Sequence, residues 1–476
     1  MRQTKLIETL RTLGTRERSR WRQYVHSDFF NKHRQLRRLC DYILARAPDF
    51  PEAALEKERV SAWIYGADTI YNELKINNLI SDLYELLLGF LSYTRQENDP
   101  LESRYQGVMA LLERNLDKQA AAALEKYRML LDRRADRSAD WYRYEMRYWE
   151  AGETLSARQS RRAAGEHLFR QTEALRNAHL LEKLRLEVAL LSRKTLAVVG
   201  TAAARDLNDN WPGDPHTVSL PAAHTYLAAQ DLVRRPSPEA FSLLTTALDT
   251  HYPVFQREEL SALYQCALNY CIRRINDGQP GAYADALFLY RTLLDRGVLL
   301  HNGRLSQWTY KNIATAGLRS GDFDWTEQFL HRYREALPQP ERDNAFAFNL
   351  ASLYFEKRDF SRALRTLQDV EFTDISYHVG AKILQMKSFY LLGETEALHS
   401  LLDAAEQMLR RDKRLAAFGK TTNLNFLRCL RQISQWKQKA PARSREKNEA
   451  ERLELIGKVK NLQPLANKDW LLKILD

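Results

Sequence analysis

Along almost the whole chain, apolar residues recur every three or four positions. Leu36, Leu39, Cys40, Ile43 and Leu44 fall at i, i+3, i+4, i+7 and i+8, one stripe along a helix. Leu79, Leu83, Leu86, Leu87 and Phe90 repeat it within the run from Ile70 to Phe90. No stretch shows the sustained alternation between turn dipeptides that marks strands. The pattern predicts an all-α protein.

Polar and Pro/Gly-rich segments punctuate it. Asn31 reads as an N-cap for a helix starting at Lys32, and Pro48 to Pro51 ends that unit. The polar run 94–100 closes an N-terminal block of four or five helices. Further breaks fall at 208–215 (NDNWPGDP), at 276–281 (NDGQPG) and at the charged segment 437–451. These predict an N-terminal helical domain over 1–97, a degenerate helical-repeat region over 98–215, repeats over 216–436, and a basic linker with C-terminal capping helices over 437–476. Trp470, Leu471, Leu472, Ile474 and Leu475 crowd the last seven residues. A helix that short is not stable alone, so 465–476 is expected to dock on the array or on a partner.

From about residue 101 the helices come in pairs, most clearly at 344–370. There Leu350, Ala351 and Tyr354 are answered by Ala363, Leu364 and Leu367 across the short turn KRDF. Small residues twelve apart, Ala351 and Ala363, let two antiparallel helices approach closely. Over this unit the chain resembles the tetratricopeptide repeat. Neighbouring units follow more loosely: GDF at 321–323 stands 37 residues before RDF at 358–360, and Gly393 stands 35 after Arg358. The resemblance implies an α-solenoid of antiparallel pairs whose concave face takes a peptide or helix. Both ends (SDFFN at 27–31, LEKERVSAWIYG at 55–66, KDWLLKIL at 468–475) resemble an uncharacterised family of helical proteins from Bacteroidetes. That implies an intracellular bacterial protein and no activity.

Charge changes this picture at the ends. Residues 1–60 hold 14 basic and 8 acidic side chains, 61–409 hold 41 and 46, and 410–476 hold 17 and 7. Basic ends offer a surface for nucleic acid or an acidic partner, or are simply solvated helix faces. The four cysteines have no metal-ligand spacing and read as reduced core thiols, which points to the cytoplasm. No run is long and apolar enough for a signal peptide or a membrane span, so no membrane partner is expected.

Motifs for phosphate loops, dinucleotide folds, zinc proteases and serine hydrolases are missing. His216 and His224 flank Pro221 in a poor metal geometry. No catalytic residue, metal or cofactor is therefore expected, and an unknown protein or peptide is the expected partner. From the first helices of the pairs, Lys311, Asn312, Asn344, Phe348, Asn349 and Ser352 are the candidate partner-binding residues. A second candidate is the aromatic run holding Trp141, Arg143, Tyr144, Arg147 and Tyr148. Its competing reading is core packing, and Trp308, Trp325 and Phe329 are expected in the core between repeats.

Overall fold

The computed structural model describes residues 1, 3–66, 68–159, 165–196, 220–368 and 370–476. Among these residues the protein is all-α, with a lone bridge between His301 and Arg304 in place of any strand. Segment 208–215 and His216 lie outside the described residues. Contacts divide the chain into two compact units, Met1–Lys183 and Leu184–Asp476.

In the first unit, α1 (Lys5–Thr12), α2 (Thr15–His26), α3 (Arg34–Leu44) and α4 (Lys57–Tyr65) gather around the long α5 (Glu73–Glu97). The buried stripe of α5 is Ile76, Leu79, Ile80, Leu83, Leu87 and Phe90, the three-four spacing visible in the sequence. Asn31 is not the cap of α3, which begins at Arg34. Its buried amide donates to the Val25 carbonyl at 2.8 Å and accepts from the His33 N–H at 2.9 Å. It thus ties the end of α2 to the start of α3. Next come α6 (Pro100–Glu113), α7 (Asp117–Asp132) and α8 (Ala139–Gln159), and then α9 (Glu166–Leu196), which continues into the second unit.

The second unit is a succession of pairs: α10 (Pro221–Arg234) with α11 (Pro238–His251), α12 (Arg257–Asn276) with α13 (Ala282–Asp295), and α14 (Gln307–Arg319) with α15 (Phe323–Arg332). After them come α16 (Arg342–Glu356) with α17 (Phe360–Gln368) and α18 (Ile375–Leu392) with α19 (Thr395–Arg411). Finally α20 (Ala417–Lys439), α21 (Arg445–Asn461) and α22 (Lys468–Lys473) end the chain. From α10 onward each helix packs on the next, and first helices also meet: α10 with α12, α14 with α16, α16 with α18.

One turn recurs between paired helices. After α14, α16 and α18 the chain passes through a left-handed residue: Gly321 (φ 77°), Arg358 (φ 61°) and Gly393 (φ 79°). The following amide then donates to the carbonyl five residues back: Asp322 to Gly317 at 3.0 Å, Asp359 to Tyr354 at 2.8 Å, Glu394 to Phe389 at 3.0 Å. This is the Schellman closure, which satisfies carbonyls left open at a helix end. Ala351 and Ala363 flank one such turn and are both fully buried. One unit earlier the approach is tighter still, since a Cβ on Gly317 would overlap Thr326 Oγ1.

Segment 437–451 corrects the expectation of a linker. Helix α20 runs through Lys439, a short 3-10 turn spans 440–442, and Ser444 caps α21. Its Lys, Arg, Glu and Ala are strong helix formers, and their low apolar content marks exposure rather than loop. Leu471 and Leu475 are buried in one cluster with Leu398, Phe426, Leu430 and Val459. No described helix is long and apolar enough to cross a membrane.

Candidate functional site

The first helices α14, α16 and α18 bring together an aromatic and cationic cluster. Ser306 starts α14 and accepts a hydrogen bond from Trp308 N at 3.3 Å, which places Trp308 on the first turn and Lys311 on the next. Asp374 caps α18, accepting from Ser376 N at 2.8 Å and Tyr377 N at 3.1 Å. The Tyr377 hydroxyl donates to the Gln307 carbonyl at 3.2 Å and so joins the two helix starts. Trp308 and Tyr377 stack at 5.8 Å with only 4° between their planes. Phe348 of α16 meets Tyr377 edge-on at 5.4 Å. Gly380 gives that ring its place, because a Cβ there would press on the Phe348 ring at 2.8 Å.

The Lys311 ammonium lies among these rings, 5.9 Å from the centroid of Trp308, 5.2 Å from Phe348 and 5.5 Å from Tyr377. Burial lowers its pKa, and Asp374 only partly offsets that. No described group accepts a hydrogen bond from it or pairs with it within 4 Å. Ring faces attract a cation but do not replace a hydrogen-bond acceptor. On nearby helix residues, Gln307 Oε1 and Asn344 Oδ1 are buried without hydrogen-bond partners. Trp308 itself is 45% exposed, which corrects its assignment to the core.

Of the residues read from the sequence on these helices, Lys311 and Phe348 meet in this cluster. Asn312 is exposed. Asn344 and Asn349 are not on the surface. They are 5% and 2% exposed; Asn344 donates to Thr373 Oγ1 at 2.9 Å and Asn349 to the Ala345 carbonyl at 2.7 Å. Ser352 is half-buried and its hydroxyl bonds back to the Phe348 carbonyl at 2.8 Å. Trp308, Tyr377 and Gly380 complete the cluster and were not among the candidates. The available signal was the three-residue step from Trp308 to Lys311, which sets both on one helix face.

The aromatic run of α8 is engaged within its own unit. Trp141 is 5% exposed and its indole N–H donates to the Leu131 carbonyl at 3.2 Å. The Tyr144 hydroxyl donates to Asp99, Arg147 pairs with Glu102, and Arg143 pairs with Asp140 and, at 3.4 Å, with Glu182. Tyr148 stacks near Tyr127, 6.4 Å between centroids. Core packing and internal ion pairs therefore occupy the groups a partner would use.

Among the described residues, no group of three or more His, Cys, Asp or Glu is placed to hold a metal ion. His224 faces His251 edge-on at 6.0 Å, with no third ligand. All four cysteines are buried and free. The chain matches no family model, no curated protein and no solved structure.

Proposed function

We propose that this protein is a non-catalytic interaction scaffold. In this reading the pairs from α10 onward are tetratricopeptide-like repeats of an α-solenoid, and their first helices receive a segment of a partner protein. The succession of helix contacts and the recurring closure at Gly321, Arg358 and Gly393 support the repeat arrangement. The observation that carries the function is the cluster around Lys311. A half-exposed tryptophan stands beside a half-buried ammonium that no described carboxylate holds within 4 Å. Tryptophan is the side chain most enriched among interface hot spots, and an unmet cation favours a partner carboxylate. The partner segment therefore presents an apolar side chain to Trp308 and an acidic group to Lys311. Four buried free thiols support a reducing compartment, the cytoplasm.

Selection of a displayed peptide library on the full chain tests this. Acidic peptides with an apolar neighbour should be enriched. Trp308→Ala should weaken them by about 30-fold, the equivalent of a hot spot of about 2 kcal/mol. Lys311→Met should weaken them with the salt dependence lost. Enriched peptides that bind both variants like the parent would overturn the assignment.

A further inference from the structure

A second surface lies at the other end of the same unit. Between α18, α19 and α20 is a cleft of about 150 Å³ lined by Phe389, Tyr390, Leu398, Ser434, Lys437 and Gln438. A cavity of roughly that volume admits one benzene-sized ring. The Lys437 ammonium stands 4.7 Å from the centroid of the Tyr390 ring, at the mouth of the cleft. From Lys437 the chain turns from α20 into α21 and presents Lys439, Arg445 and Lys447 within ten residues. All four cations are exposed, and none has a carboxylate within 4 Å. Arg445 acts on Glu449 only at longer range, whereas Arg443 is held by Glu451.

Part of the charge in the basic N-terminal segment is paired. Arg20 pairs with Glu97, Arg22 with Asp41, Arg37 with Asp28 and Lys57 with Glu73, each cation held to an acid elsewhere in the bundle. At the α20–α21 turn, unpaired cations stand beside a ring-sized cleft. Its walls are aromatic and aliphatic, and its polar lining comes from Thr395, Gln438 and Ser434, whose hydroxyl lies 3.3 Å from His399 Nε2. A flat ring with polar edges fits that lining better than a phenyl group does.

From this juxtaposition we infer that the α20–α21 turn and its cleft bind single-stranded nucleic acid. One base enters the cleft against Phe389 and Tyr390, and the phosphates flanking it meet Lys437, Lys439, Arg445 and Lys447. Stacking makes such a site tolerant of sequence, and the base must be unpaired to enter. An acidic polypeptide without aromatic side chains would satisfy the cations but leave the cleft unfilled.

Fluorescence anisotropy with the full chain tests this, using a labelled twelve-nucleotide oligothymidylate. Competitors are the same backbone without bases, a duplex of equal length, and polyglutamate. The base-bearing strand should compete at least tenfold better than the abasic strand, the duplex or polyglutamate. Its affinity should fall with salt with a logarithmic slope of about −3, from four phosphate contacts at ~0.7 each on a single strand. Lys437→Ala and Lys447→Ala should each reduce that slope by about 0.7. Trp308→Ala should leave binding unchanged, so this site stands or falls separately from the proposed peptide surface. No binding in low salt, equal competition by polyglutamate or abasic strand, or unaltered slopes in the lysine variants would overturn the inference.

Discussion

Lys387 offers a measurement of what a buried charge costs this fold. It lies on α18, 9% exposed, and donates to Asn467 Oδ1 at 2.6 Å. Asn467 caps α22, so this lysine reaches the C-terminal helix directly. Its ammonium also stands 5.1 Å from the Trp470 ring. Burial, with Arg319 as a second cause, lowers its pKa from 10.5 to about 8, while Glu356 pulls the other way. A depression of about 2.5 units corresponds to roughly 3 kcal/mol, at 1.36 kcal/mol per unit. The sign follows from proton binding. Between pH 8 and 10.5 the unfolded chain holds this proton more tightly than the folded one, so stability rises with pH through that window. Below pH 8 the folded state carries the full cost of the charge.

Lys387→Met keeps the apolar stem against Trp470 and removes the titration. It leaves Asn467 Oδ1 without its donor, which costs about 1–2 kcal/mol. The variant should therefore be more stable than the parent at pH 7 by about 1–2 kcal/mol. That advantage should shrink and reverse as pH approaches 10.5. Urea unfolding of both proteins from pH 6.5 to 10.5, followed by circular dichroism, gives the difference at each pH. Other lysines and tyrosines titrate alike in both and drop out of it. A difference that stays flat from pH 7 to 10.5 would refute the reasoning.

Gly317→Ala should destabilise by roughly 1–3 kcal/mol, because its Cβ must displace Thr326; the urea midpoint checks this. Arg358→Gly should stabilise by about 0.5–1 kcal/mol, since Arg358 holds a φ of 61° where the equivalent turns use glycine. Trp141→Ala should cost about 3–5 kcal/mol, whereas Trp308→Ala should leave the melting temperature within a few degrees. Leu471→Ala should cost about 2–5 kcal/mol and increase binding of an apolar dye; an unchanged midpoint would show that the C-terminal helix does not rest on α20 and α21.

Helix identity was legible because it is a property of single segments. The stripe of α5 and the Schellman turns at Gly321 and Gly393 need only local spacing and a residue that tolerates positive φ. Arg358 shows the limit of that logic. It occupies the same left-handed position without the glycine, and only its register against its neighbours, 37 residues after Gly321, discloses it. The charged run at 437–451 misled in the opposite way. A segment with few apolar residues resembles a linker, yet α20 and α21 need only one narrow stripe each, supplied near Ile433 and Leu455.

The candidate site was less legible because exposure is decided between helices. Lys311, Asn344, Phe348 and Asn349 were drawn from the right helices, but on α16 neighbouring positions separate the cluster from the core by one step of about 100°. Phe348 therefore reaches the rings while Asn349 bonds its own helix in the interior. Tyr377 is some 70 residues from Trp308 in sequence and enters only because α18 packs on α16 and α16 on α14. Trp308 was assigned inward on side-chain type alone, which fails for the residue most valuable at an interface. Trp141 was the mirror case: in a run as rich in Trp, Tyr and Arg as any hot spot, its indole N–H already has the Leu131 carbonyl. Aromatic and cationic composition nominates both clusters equally. What separates them is whether the polar groups are already matched within the fold, and at Lys311 the ammonium is not.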